Sequence, residues 1–341
     1  MTGSKQPKPL ALTPGEPAGI GPDITITAWL ARHREEIPPF LYLGDPELLL
    51  RRASALGHSI RAETAAASDA MAAFADVLPC LEGLPSMAAT AGTVDQSNAP
   101  DIIASIRKGV ELVAAGQAGA IVTNPIQKSA LDAIGFGFPG HTEFLGSLAT
   151  ELFGKPSTPV MMLASPELRV VPLTVHIALA DVPHALTTEA IVDKASIVAR
   201  DLKARFGIDK PKLAVAGLNP HAGESGMFGT EEEQTIRPAV ETLRAAGIDI
   251  VGPLAADSMF HLQARAGYDA ALCMYHDQAL IPFKTLAFDH GVNVTLGLPF
   301  VRTSPDHGTA LALAGKGKAK ASSLIAALRL ADALAVREAG D

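Results

Sequence analysis

The sequence predicts an α/β fold in two lobes, on three observations. The chain has 341 residues, enough for two moderate cores. Helix-spaced apolar stretches alternate with short apolar runs. The polar residues that follow those runs are rich in histidine, asparagine and aspartate.

Ile102, Ile106, Val110 and Val113 recur at helical spacing and stop near Gly116, ahead of the short run Ala120 to Val122. Ile191, Ala195, Val198 and Leu202 repeat the pattern up to Gly207, ahead of Leu213 to Ala216. Ile236, Val240 and Leu243 repeat it up to Gly247, ahead of Ile248 to Val251. Such alternation predicts a largely buried sheet with helical crossovers. The alanine-rich stretch from Ala62 to Ala75 is expected to be a plain helix. Pro282 to Gly308 is punctuated by glycine and shows little helical periodicity. With no linker dividing the chain, two lobes imply that it crosses between them more than once, leaving a central cleft.

Composition excludes several classes of function. A net charge of −8 without a dense Lys/Arg block argues against nucleic acid. Pro14, Gly15 and Glu16 break the first apolar stretch before a signal-peptide core could form, and Glu167 and Arg169 interrupt the apolar segment from Val160 to Val175. A cytoplasmic protein without a membrane anchor is expected. Two cysteines, Cys80 and Cys273, are too few for a disulfide framework and read as small buried hydrophobes.

In open α/β sheets ligands gather beyond the carboxyl ends of the strands. His176, His221 and His276 each follow a separate expected strand, with Asn219, Asp257 and Asp277 close by in sequence. Imidazole is the commonest ligand of zinc-like metals, and three at one sheet edge would leave coordination positions open. Each histidine alone reads as well as a hydrogen-bonded loop residue. Lys284, Asn293, Thr295, Arg302, Thr303 and Ser304 supply the fixed charge and donors that a phosphorylated acid requires. Gly135, Gly137 and Gly140 match the dinucleotide fingerprint G-x-G-x-x-G, but they follow a helical segment, Lys128 to Ile134, and no strand. They read as a loop, so a dinucleotide would be held without a Rossmann fingerprint.

Longer motifs carry a resemblance. TPGEPAGIGPD, PGHTEFL, GLNPHAGESGMFGTEE, GPLAADSMF and the stretch from MYHDQALIPFK to HGTALALAGKGKA resemble the 4-hydroxythreonine-4-phosphate dehydrogenase family from about Leu10 to Leu330. PGEPAGIGPD and HGTALALAGKG are also similar to segments of the isocitrate and isopropylmalate dehydrogenases. The resemblance implies a two-lobed isocitrate/isopropylmalate dehydrogenase-like fold. Expected boundaries are residues 1–130 with 300–341 for the cofactor lobe, and 131–299 for a lobe bearing metal ligands and dimer contacts.

It further implies that His176, His221 and His276 bind one divalent metal (Zn, Mg or Co), and that His141, Thr142, Lys284, Asn293 and Arg302 bind substrate. NAD, with NADP as the alternative, would lie on Gly15, Glu16, Gly19, His307, Gly308 and Thr309. The implied assembly is a homodimer sharing its active sites, His276 completing the site begun by the partner's His176 and His221. Asp257, Asp277 and Lys284 are the proton-transfer candidates, Asp257 reading equally as a carboxylate that orients a histidine. Thr123, Asn124, Pro125, Ile126, Gln127 and Lys128 depart from the family's TAPxHK, Val175, Ile177 and Ala178 alter its TTHLPL, and Ala312 replaces an acidic residue. None of these removes an expected ligand. The implied chemistry is oxidation and decarboxylation of 4-phosphohydroxy-L-threonine to 3-amino-2-oxopropyl phosphate. Alternatives are the same chemistry on a four-carbon sugar-acid phosphate or an aromatic-derived dihydrodiol, a metal hydrolase, a phosphate acyltransferase, or a non-catalytic phosphate or metal binder.

Overall fold

The computed structural model describes residues 7–138 and 140–340. The chain forms two compact units, residues 1–159 with 298–341, and residues 160–297.

The first unit opens with β1 (Leu10–Thr13), α1 (Gly21–Leu30), β2 (Phe40–Tyr42), α2 (Pro46–Ala55), β3 (Ala62–Ala65), α3 (Ala70–Ala73) and β4 (Leu78–Leu81). It continues with α4 (Ala99–Ala114), β5 (Ile121–Thr123), α5 (Lys128–Asp132) and α6 (His141–Phe153). The second unit contains β6 (Val160–Ala164), β7 (Arg169–Pro172), α7 (Val182–Ala185), α8 (Thr188–Ala204), β8 (Lys212–Ala216), α9 (Arg237–Ala245) and β9 (Asp249–Leu254). It ends with α10 (Leu262–Arg265), β10 (Ala270–Cys273), α11 (His276–Ala287) and β11 (Val292–Leu296). The chain then returns to the first unit with β12 (Arg302–Pro305) and α12 (Ser322–Gly340).

The strands of the first unit run in the order β3-β4-β2-β1-β5-β12, all parallel. Those of the second run β11-β6-β7-β10-β8-β9, antiparallel at β11-β6-β7 and parallel from β7 onward. The parallel strands read as continuous apolar runs because helices cover both faces. In the first unit Ile102, Ile106 and Val110 of α4 pack with Ile121, Leu145, Leu148 and Phe300. In the second, Leu163, Val170, Ala214 and Ala271 pack against Phe283 and Ala287 of α11. Short side-chain caps fix several helix starts: Asp45 accepts from the Glu47 amide ahead of α2, and Thr187 accepts from Ala190 ahead of α8.

Three readings of the sequence change here. Ala62 to Ala75 is not one helix: β3 pairs with β4 in register Ala62 to Leu78 through Ala65 to Leu81, and only Ala70–Ala73 is helical. Edge pairing overrides the helix propensity of alanine. The weak helical periodicity of 282–308 also hides a helix, since α11 runs through Lys284 with Pro282 inside it, while Asn293 and Thr295 lie on β11, and Arg302, Thr303 and Ser304 on β12. Proline removes one intrahelical bond without stopping this helix, whose buried face is held by Phe283 and Ala287. Finally, residues 131–159 group with the first unit, where α6 packs on α4.

Candidate functional site

β7, β10 and β8 lie side by side and parallel, Val171 opposite Leu272 and Leu272 opposite Val215. Their carboxyl ends therefore open on one edge, and His176, His276 and His221 follow them by a few residues each. The His176 and His276 rings stand 6.0 Å apart, centroid to centroid. His276 opens α11 and its Nδ1 lies 2.7 Å from Asp277 Oδ1, so Nε2 is the nitrogen left for a metal. Asp277 thus has the histidine-orienting position considered for Asp257, which is exposed in the turn Ala256–Ser258 after β9.

The backbone around these rings is unusual. His176 sits at φ 52°, and His221, Ala222, Gly223, Glu224 and Ser225 form a left-handed turn with φ between 40° and 78°. L-residues disfavour that conformation by roughly 1–2 kcal/mol each, and such strain concentrates where function holds it. The holding group is Glu232, 1% exposed, whose Oε1 accepts from the Leu218 and Asn219 amides at 2.7 Å each. Oε2 of Glu232 accepts from Asn219 Nδ2 at 3.0 Å. Glu232 was not foreseen, because a run of acidic residues normally marks a solvated face.

Within one chain, no three His, Cys, Asp or Glu side chains among the described residues are gathered closely enough to hold a metal. The donor set nevertheless suits a divalent cation: neighbouring imidazoles, one oriented by a carboxylate, on a preorganised edge. Lys284 lies on α11, with its Nζ 5.6 Å from the Phe288 ring, and Asn293 lies on β11 opposite Leu163.

The first unit gathers a second set of residues. Arg302, 4% exposed, donates to Thr123 Oγ1 through Nη2 at 2.7 Å and Nε at 3.1 Å. Burial lowers its pKa to about 10, so the guanidinium stays charged at neutral pH. His141 and Thr142 open α6, where the first helical amides have no intrahelical partner and favour an anion. The His141 ring is half-buried, with Nε2 shielded and without a partner. Burial, and secondarily the Arg302 charge, hold its pKa well below the usual 6.5, which makes it a neutral imidazole.

Three loops of this unit converge. Gly15, at φ 67°, packs so closely that a Cβ would lie 2.5 Å from the Pro125 carbonyl. The Glu16 amide donates to that same carbonyl at 2.8 Å, and the Ile20 amide donates to the Thr309 carbonyl at 3.0 Å. Gly19 leaves no room for a side chain, its Cβ position being 2.8 Å from the Thr309 oxygen. Thr309 Oγ1 donates to Gln127 Oε1 at 2.9 Å, and His307 Nδ1 lies 3.0 Å from the Gly308 carbonyl. Gly15, Glu16, Gly19, Gly308 and Thr309 are thus brought to one place. Glu16 is buried, with Oε1 on the Ala18 amide and Oε2 unpartnered, and burial raises its pKa.

Beneath these loops lies the buried pair Asp23–Arg52. Arg52 also donates to the Gly19 and Pro17 carbonyls at 2.9 and 3.0 Å, while Asp23 Oδ1 accepts from the Gly315 amide at 2.7 Å. One ion pair ties the 14–20 loop to the 307–317 loop. Gly135 and Gly137 lie in the turn after α5, and Gly140 caps α6; no strand leads into them directly. Pro139, between them, lies outside the described residues.

The chain is 57% identical over 336 residues to 4-hydroxythreonine-4-phosphate dehydrogenase of Bradyrhizobium diazoefficiens, covering 96% of this chain and 97% of the relative. The crystal structure of 4-hydroxythreonine-4-phosphate dehydrogenase from Klebsiella pneumoniae superposes with a TM-score of 0.83 at 36% identity, over 96% of this chain and 99% of that one. A terephthalate 1,2-cis-dihydrodiol dehydrogenase from Burkholderia xenovorans is more distant, with a TM-score of 0.63 at 26% identity over 96% and 98% of the two chains. The profile of the pyridoxal phosphate biosynthetic protein PdxA matches residues 35–331, and the chain belongs to the PdxA family.

Proposed function

We propose that this protein is an NAD-dependent, divalent-metal-dependent dehydrogenase that oxidises and decarboxylates 4-phosphohydroxy-L-threonine to 3-amino-2-oxopropyl phosphate in pyridoxal 5'-phosphate synthesis. The observation that carries the reading is the alignment of His176, His276 and His221 beyond three adjacent parallel strands, in a chain of this family.

His176, His221 and His276 would hold the cation. When bound, a divalent ion lowers the pKa of a coordinated alcohol and stabilises the negative charge left after carbon dioxide departs. NAD, or NADP, would supply the hydride acceptor for oxidation of the substrate alcohol. Gly15, Glu16, Gly19, His307, Gly308 and Thr309 are its proposed contacts, close-packed glycines letting a dinucleotide approach the backbone.

The remaining work falls to side chains. Arg302 supplies a permanently charged, buried guanidinium for an anionic group, and the amides at the start of α6 reinforce it. Kept neutral, His141 can donate to or accept from an uncharged substrate oxygen or nitrogen without repelling Arg302. Thr142 adds a hydroxyl, and Lys284 and Asn293 are the substrate groups of the second unit. Asp257, Asp277 and Lys284 are the candidates to take the alcohol proton and later return one to carbon. Asp277 is engaged by His276.

A homodimer that shares its sites fits the surface of the second unit. Ile177 and Leu179 follow His176, Met227 and Phe228 follow His221, and Ile281 and Phe288 follow His276; all are exposed apolar side chains, 44–73% accessible. Such a surface is suited to burial against a second copy.

Purified protein with NAD and Zn, Mg or Co salts should form NADH and carbon dioxide from 4-phosphohydroxy-L-threonine. The likeness to a dihydrodiol dehydrogenase makes dihydrodiols a necessary comparison, and four-carbon sugar-acid phosphates, which carry the same hydroxy-acid and phosphate groups, are another. Turnover of one of those alone would move the assignment.

A further inference from the structure

One continuous run of hydrogen bonds joins the three histidine-bearing loops. Thr174 Oγ1, two residues before His176, donates to the Met274 carbonyl at 2.8 Å. Two residues before His276, the Met274 amide donates to Gln278 Oε1 at 2.6 Å. Gln278 Nε2 then donates to the Gly217 carbonyl at 2.7 Å, four residues before His221. The next two amides, Leu218 and Asn219, are those bound by Glu232. Thr174, Met274, Gln278 and Glu232 are all buried.

The geometry points to Gln278, with Thr174, as the pair that positions His176, His221 and His276 of one chain, which serve one centre or, in a dimer that shares its sites, two; the inference rests on reading those histidines as metal ligands. A primary amide suits the place because it must accept from one backbone and donate to another. A carboxylate would satisfy Met274 and repel the Gly217 oxygen. Bonding from the third residue of α11 back to Met274 resembles an ordinary helix cap. The bond to Gly217 is not part of any cap, since it reaches 61 residues along the chain to the loop of His221. Thr174 fixes the His176 loop to the same Met274 peptide. Ligands held in place before the cation arrives lose little freedom on binding it.

The test is metal affinity of the metal-free, full-length protein, measured by Co(II) absorption and by Zn competition with a chromogenic chelator, beside thermal unfolding of the same samples. Gln278→Met and Gln278→Glu should weaken metal binding by about 10–100-fold. Thr174→Val should weaken it in the same direction, and Thr174→Ser, which keeps the hydroxyl, should restore it. If the Gln278 variants do not fold, the Thr174 pair decides the matter. Lower thermal stability with unchanged metal affinity would assign the residues to the scaffold alone and overturn the inference. Wild-type protein that binds no Co(II), or binds it equally well as His221→Ala, would remove the metal reading itself and the inference with it.

Discussion

Arg52→Leu should cost the first unit about 3–5 kcal/mol, the usual penalty for removing one member of a buried ion pair. Asp23 and Arg52 are 2% and 5% exposed, so the orphaned carboxylate would have little water to turn to. The Gly19 and Pro17 carbonyls would lose their donor as well. For a unit of this size the loss corresponds to a fall in melting temperature of about 6–20 °C. Asp23 would keep the Gly315 amide, and the two loops would lose their shared ion pair while keeping the Ile20 to Thr309 bond. NAD affinity should therefore fall about tenfold, roughly the 1.4 kcal/mol of one lost tether. Urea unfolding with NAD titration by fluorescence measures both effects. Asp23→Asn combined with Arg52→Leu should recover part of the stability, because no buried charge remains, while NAD binding stays weak. A single variant within 1 kcal/mol of wild type, or an additive double variant, would refute the reasoning.

Further expectations concern the other features. Because the folded protein holds the His141 pKa below the unfolded value of 6.5, the unfolded chain takes up a proton that the folded one refuses once the pH falls below about 6.5. Stability should then decline by up to about 1.4 kcal/mol per pH unit, and His141→Gln should flatten that slope between pH 7.5 and 5.5 in urea unfolding; parallel curves would contradict it. Mixing inactive His176→Ala with inactive His276→Ala protein, with subunit exchange shown independently, should restore activity if sites are shared, whereas no recovery would place both histidines of a site on one chain. Leu179→Glu with Phe288→Glu should shift the protein from dimer to monomer in sedimentation at micromolar concentration, and an unchanged dimer would exclude that face.

The alternation of helix and strand was legible wherever an amphipathic stripe ended at a glycine before an apolar run, as at Gly116, Gly207 and Gly247. It failed where partners outweigh local preference: β3 is a strand because β4 lies beside it, and α11 continues past Pro282 because its face is buried. The three histidines could be picked out by their positions after apolar runs. That their strands lie side by side could not, since it depends on β10 inserting between β7 and β8, an order unrelated to chain order. Glu232 and Gln278 were invisible for another reason. Nothing in an acidic run or in the word HDQ tells which side chain turns inward, and only the folded loops provide amides for them to bind.

The handedness of the turn at His221–Ser225 reverses a familiar rule of protein engineering. Glycine normally loosens a chain and lowers its stability by roughly 0.5–1 kcal/mol, yet at Ala222, Glu224 and Ser225 it would relieve a conformational cost of roughly 1–2 kcal/mol. Those positions are therefore where a glycine scan should raise the melting point, and where proline or a β-branched residue should be least tolerated.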